Sequence, residues 1–146
     1  MNYDSVFDKW HEERGVFGIY DRTVDVARYV YWGLFALQHR GQESAGIAVT
    51  DGHDVELKKG MGLLTEAIKE LPALPSYMGT GHVRYSTTGS NNPRNIQPLV
   101  IHYQGGQIAV AHNGNLTNAL SIRKRLEADG SIFQTVSYTH LRAHET

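Results

Sequence analysis

The sequence predicts an α+β fold built from antiparallel sheets with helices packed outside them, and three observations carry that expectation. Strand-like runs outnumber helical ones: "GVFGIY", "SAGIAV", "DVELKKG", "TGHVRYS", "PLVIHY" and "QIAVAHNG" are rich in β-branched and aromatic residues. Asp51-Gly52 between two such runs signals a hairpin, and the "QGG" turn joins two more, so neighbouring strands run antiparallel. Two longer segments instead show apolar residues at helical spacing.

Along the chain the elements follow in order. "RGVFGIY" opens with a strand whose two glycines permit close approach of another backbone or a ligand. "TVDVARYVYWGLFALQHR" places Val26, Val30, Leu34 and Leu37 on one side of a helix, with Thr23 as its expected cap. The hairpin around Asp51-Gly52 comes next, then a short helix over "LLTEAIKEL" ended by Pro72. After three further strands, "LTNALSIRKRLEADG" reads as an amphipathic helix with Leu116, Leu120 and Leu126 on one side and Gly130 as its stop. Trp10 and Trp32 are expected to pack.

Composition bounds the function. With 146 residues and 40% hydrophobic side chains the chain suits a single domain with one sizeable core. Lysine plus arginine (14) nearly balances aspartate plus glutamate (15), for a formal net charge of −1, so neither nucleic acid nor an acidic membrane is an expected partner. The absence of cysteine excludes disulfides, thiolate metal sites and a cysteine nucleophile in the chain as it stands. "MNYDSVFDKWHEE" at residues 1–13 is too acidic and too polar for a secretory signal, and the expected address is the cytoplasm.

Three loops at strand ends hold the candidate chemistry: "QHRGQESAG", "GHVRYSTTG" and "AHNGNLTN". Asn113 and Gly114 can aim a side-chain amide and a backbone N–H at one spot, as an oxyanion hole does, or can simply form an Asn-Gly turn. Arg84 near Ser86, Thr87 and Thr88 can hold a carboxylate bidentately, or can sit in a surface pair. His82, His102 and His112 lie on predicted strands but lack the close spacing and accompanying acid of a zinc site, so no metal is expected. "RKRLE" at 123–127 reads as the solvated face of its helix.

Taken together and in order, "RGVFGIY", "LQHRGQESAGIAVTDG", "GHVRYSTTG" and "AHNGNLTNA" resemble the class II glutamine amidotransferase domain of the amidophosphoribosyltransferases over residues 12–135. "QHRGQ" with "GHVRY" distinguishes this pattern from the "YRGYDS" and "GHTRW" of the glucosamine-phosphate synthase relatives. The resemblance implies a four-layer αββα sandwich of the N-terminal-nucleophile hydrolase type. It also implies a propeptide-like segment at 1–13, an amidotransferase domain at 14–135 and an unrelated tail at 136–146. A phosphoribosyltransferase domain, with its phosphoribosyl pyrophosphate and magnesium, would be missing, and a homo-oligomer is expected only of the full-length enzyme. No cofactor is implied for the amidotransferase domain itself.

The resemblance also assigns roles to particular positions. The residue before "GVFGIY" would be the N-terminal cysteine nucleophile, with its own α-amino group as base. Asn113 and Gly114 would stabilise the oxyanion, and Arg84 with Thr87 would hold the glutamine α-carboxylate, with Arg40 and Gln42 bordering the pocket or bracing their loop. Two positions depart from the pattern. Arg14 stands where the cysteine would be, and a guanidinium that stays protonated cannot attack a carbonyl carbon. Tyr138 stands where the pattern's aspartate would meet the glutamine α-ammonium. The expected function is therefore glutamine hydrolysis supplying ammonia for purine synthesis, by a chain inactive as written. The alternative is a catalytically silent amidotransferase-like binding module.

Overall fold

The computed structural model describes residues 14–38, 43–84, 93–114 and 116–131. The segments 1–13 and 136–146, and Trp10 with them, lie outside the described residues. Among the described residues six strands and three helices run in the order β1 (Arg14–Tyr20), α1 (Val26–Leu37), β2 (Ser44–Thr50), β3 (Val55–Met61), α2 (Leu64–Ala67), β4 (Met78–Arg84), β5 (Leu99–Tyr103), β6 (Gly106–Val110) and α3 (Ala119–Ala128). A 3₁₀ turn, Pro93–Asn95, precedes β5. The expected α+β class and antiparallel pairing are present.

The strands form a four-stranded sheet of order β1-β4-β2-β3 and a two-stranded sheet, β5-β6. Alternation explains how the first sheet serves two layers. On β2 the odd positions Ala45, Ile47 and Val49 face α1, while Ser44, Gly46 and Ala48 turn to the other face, and all six are buried. Helix α1 lies on the first face because Val26, Val30 and Leu34 fall on one side of it and are 1%, 0% and 0% exposed. They join Ile47, Val49 and Val83, with Leu64 and Ile68 from the α2 region, in one core cluster. Each such fully buried aliphatic side chain contributes about 1.5–3 kcal/mol of transfer free energy. Glycine makes this approach possible, since a Cβ on Gly81 would stand 2.7 Å from both Leu34 Cδ1 and Val30 Cγ1.

The second sheet approaches the opposite face through the segment leading into β5. A Cβ at Gly46 would collide with the Gln97 carbonyl oxygen and meet Pro98 Cδ at 3.0 Å, so the chain can cross β2 only at a glycine. Polar ties fix the same layer: Lys59 Nζ donates to Ile96 O at 3.1 Å and Val55 N donates to Gln107 Oε1 at 3.2 Å. At the Tyr20–Met78 end the layers leave a cavity of about 640 Å³, lined by Tyr20, Met78 and Ile108 among others. Its two threonine hydroxyls are already committed, Thr50 Oγ1 donating to Asp54 O at 2.6 Å and Thr80 Oγ1 to Phe17 O at 3.1 Å.

Several sequence expectations need correction. The α1 cap is Asp25, whose carboxylate accepts from Arg28 N at 3.2 Å, while Thr23 donates its N–H and hydroxyl to Asp21 Oδ1 in a local turn. Helix α2 spans four residues and ends well before Pro72. Leu120 is 75% exposed, because Ala119 and Ile122, with Leu116 and Leu126 around them, take the buried side of α3. Trp32 is 54% exposed and meets the Tyr29 ring at a tilt of 54° rather than entering the core. Gly130 does end α3: it has φ +92°, its N–H donates to Glu127 O, and Ser131 N donates to Leu126 O, the Schellman pattern. Arg123 and Glu127 pair at 2.7 Å one turn apart along "RKRLE".

Gly46→Ala is expected to lower unfolding free energy by about 1–3 kcal/mol, because the added carbon forces the Gln97 segment off the sheet. Urea unfolding followed by circular dichroism measures it, and an unchanged midpoint would show that the layers have slack at that crossing.

Candidate active site at the head of the first strand

Strand register gathers the site. In the first sheet Arg14 pairs with Arg84, and Arg84 pairs in turn with Ser44. Residues directly opposite share a face, and His82, two positions before Arg84, shares it too. Arg14, Arg84, Ser44 and His82 therefore occupy one end of the face turned towards the second sheet. That end is polar and cationic, in contrast to the apolar Tyr20–Met78 end.

The second sheet delivers the other half. After β6 the chain reaches Asn113, whose Nδ2 donates to the Arg14 carbonyl oxygen at 3.0 Å, while Arg14 Nη1 makes a long 3.5 Å contact with Gly114 O. These reciprocal contacts join residues 99 and 100 positions apart. Gly114 has φ +134°, a conformation that glycine adopts without strain, and a Cβ there would meet the His112 ring at 3.4 Å. Upstream, His112 N donates to Gln97 Oε1 at 2.6 Å, so the residue that crosses β2 also aims this loop. The Asn113 amide uses one N–H on Arg14 and has a second for another acceptor.

His82 lies beneath this junction, 1% exposed. Burial pushes its pKa down to about 4 from an ordinary 6.5, the nearby Arg14 and Arg84 charges push the same way, and a hydrogen bond to the His112 backbone opposes them. The imidazole is therefore neutral at pH 7. Its Nε2 is buried without a hydrogen-bond partner, as is Arg84 Nε. Among the described residues no carboxylate forms an ion pair with Arg14 or Arg84; the pairs Arg28–Asp25, Lys58–Glu56 and Arg123–Glu127 all lie elsewhere.

Of the candidate residues, Arg14, Arg84, Asn113 and Gly114 come together here. Arg84 is partly buried at the end of β4 rather than in an exposed surface pair. Arg40, Gln42, Thr87 and Tyr138 lie outside the described residues. His102 is exposed on β5, and among the described residues no group of three potential metal-ligating side chains forms. The sequence reading missed Ser44 and the role of His82. Strand alternation already places His82 on the face of Arg84, but only the pairing of β2 with β4 brings in Ser44.

The sequence profile of the class-II glutamine amidotransferases matches residues 43–139. The chain belongs to the class-II glutamine amidotransferases. It is 47% identical over 137 residues to an amidophosphoribosyltransferase of Staphylococcus aureus (strain MRSA252), covering 92% of this chain and 28% of that protein. It is also 51% identical over 122 residues to the amidophosphoribosyltransferase of Methanocaldococcus jannaschii, covering 82% of this chain and 26% of the relative. Among solved structures, glutamine phosphoribosylpyrophosphate amidotransferase from B. subtilis complexed with ADP and GMP superposes with a TM-score of 0.80 at 46% identity, over 88% of this chain and 28% of that one. This amidotransferase chain thus spans little more than a quarter of the length of the relatives it matches. The likeness establishes the N-terminal-nucleophile hydrolase fold expected from the sequence. Among the described residues no helix is long and apolar enough to cross a membrane.

The depressed pKa of His82 makes this end of the sheet acid-sensitive. An unfolded histidine takes up its proton near pH 6.5, whereas the folded one resists until about pH 4. The stability this contributes is full above pH 6.5 and is lost as pH falls towards 4, on the order of 3 kcal/mol in total. Urea unfolding at pH 7, 5.5 and 4.5 should show that decline, and His82→Gln should flatten it. Because Arg14 is one of the depressing charges, Arg14→Met is expected to raise the His82 pKa, read from the imidazole resonances; an unchanged value would mean that the two side chains do not interact.

Proposed function

We propose that this chain is the glutamine-handling part of an amidophosphoribosyltransferase-type enzyme whose nucleophile seat is occupied by an arginine. One observation carries the reading: the first residue of β1 is held by Asn113 and Gly114 from the loop that follows β6. A thiol at that position would lie beside an amide donor and a glycine loop, the partners that an acyl-transfer oxyanion requires.

In the proposed chemistry the side chain at position 14, when it is cysteine, attacks the side-chain amide of glutamine. Its proton passes to the α-amino group that becomes free once residues 1–13 are removed. Asn113 and the Gly114 N–H stabilise the tetrahedral oxyanion, ammonia leaves, and water hydrolyses the thioester to glutamate. Arg84, assisted by Thr87, grips the glutamine α-carboxylate, and Arg40 with Gln42 borders the pocket. In the longer relatives the ammonia would be passed to phosphoribosyl pyrophosphate to form phosphoribosylamine, the first committed step of purine synthesis.

Arg14 has no lone pair with which to perform the attack, so the chain as written is inactive towards glutamine. Tyr138, in place of the pattern's aspartate, removes the counter-charge of the substrate α-ammonium. The second reading, a silent module that binds without turning over, follows from the same arginine. It is the state in which this chain exists, whereas the enzymatic reading describes the site's design.

Purified chain is expected to release no glutamate from glutamine above a heat-killed control; measurable release would overturn the assignment of Arg14 to the nucleophile position. A protein beginning at residue 14 and carrying Arg14→Cys should show weak glutaminase activity with a high KM. Adding Asn113→Ala to it should depress kcat by roughly 10²- to 10³-fold while leaving KM nearly unchanged. If Asn113→Ala left turnover intact, the oxyanion role would belong elsewhere.

A further inference from the structure

We infer that Arg14 and Arg84 together form an anion site that takes an acidic amino acid, glutamate in preference to glutamine. The anion preference rests on the charges themselves, and only the identity of the amino acid rests on the glutamine-site reading above.

The register places two guanidinium-bearing residues directly opposite one another on one face of a sheet. Like charges so placed repel, and a chain that keeps them ordinarily supplies a carboxylate between them. None is paired with either arginine among the described residues. His82, a neutral imidazole, neither adds to that positive charge nor offsets it. One buried donor at this end, Arg84 Nε, has no hydrogen-bond partner. Buried polar atoms in native proteins are nearly always satisfied, so an unmet donor next to unpaired positive charge points to an anionic ligand.

Chemistry then separates acid from amide. A guanidinium presents only donors. The γ-carboxylate of glutamate offers it two acceptor oxygens, whereas the side-chain amide of glutamine offers one oxygen and turns an NH₂ group towards the other N–H donors. With Arg84 holding the α-carboxylate, the side chain of the bound amino acid reaches the position of Arg14, and Asn113 has a second N–H for the same carboxylate. The substitution that removes the nucleophile thereby changes which molecule the site prefers: the product of glutamine hydrolysis in place of its substrate.

The test is titration of the 146-residue chain with L-glutamate, L-glutamine and inorganic phosphate by isothermal calorimetry, with arginine Nε–H resonances followed in parallel. Glutamate is expected to bind at least on the order of 10-fold tighter than glutamine, with affinity falling as sodium chloride is raised. Arg14→Met should abolish that preference, Arg14→Lys should retain part of it, and Arg84→Met should weaken both amino acids. Arg84→Lys and the amide spectrum of each variant separate lost binding from lost folding. Equal affinity for glutamate and glutamine in the unaltered chain overturns the inference, as does phosphate binding as tightly as glutamate. If the unaltered chain binds neither amino acid but Arg14→Met binds glutamine, Arg14 merely obstructs a glutamine pocket; the inference then fails while the functional reading stands. If no variant binds either amino acid, both fail.

Discussion

The contact between Gly46 and the Gln97 carbonyl is the constraint on which the site depends. It lets the second sheet's leading segment cross the centre of the first sheet at a distance no side chain would permit. Gln97 then uses its own amide oxygen to accept from His112 N, two residues before Gly114. A single residue thus sets both the spacing of the layers and the position of the loop that meets Arg14. Loss of that crossing would leave Arg14 on an open sheet end and Asn113 without its partner, even with every site residue retained.

Around this crossing the molecule divides into two ends of different character. The Tyr20–Met78 end is apolar, and its threonine hydroxyls are spent on backbone carbonyls. The Arg14–Arg84 end concentrates positive charge, a buried imidazole and unmet nitrogens. The contrast has a simple origin in strand alternation: the same face of the same strands carries Tyr20 and Met78 at one limit and Arg14 and Arg84 at the other. Packing of α1 on the reverse face is indifferent to this, because Gly79, Gly81, Ile47 and Val49 form an apolar, closely approached surface along the helix. Stability and chemistry are therefore assigned to opposite faces of one sheet.

At Arg14 the main chain and the side chain do different work. Its backbone carbonyl accepts from the Asn113 amide, an interaction that any residue at position 14 could make, so the junction does not depend on the arginine side chain. Its side chain adds a positive charge, and the effect extends to His82, whose depressed pKa carries a contribution from that guanidinium. Position and reactivity are separable because the first is held by main-chain geometry and the second by the side chain alone.

The sequence by itself determined the α+β class, the strands and the stop of α3 at Gly130, because alternation and turn residues are local properties read within a few residues. It also marked Arg14, Arg84, Asn113 and Gly114, each beside a motif that stands out within its own loop. It misjudged Leu120 and Trp32, since periodicity tells that a helix has two sides but not which residues its neighbours reach. It named Thr23 where Asp25 caps, because both residues are competent and only the trajectory of the incoming chain selects between them. What the tertiary structure alone decided is adjacency: that Arg14 faces Arg84 in register, that Ser44 completes the row, and that Asn113 reaches across from another sheet. Those contacts join residues 40 to 100 positions apart, and their pairing depends on strand order and layer spacing, which no short stretch of sequence encodes.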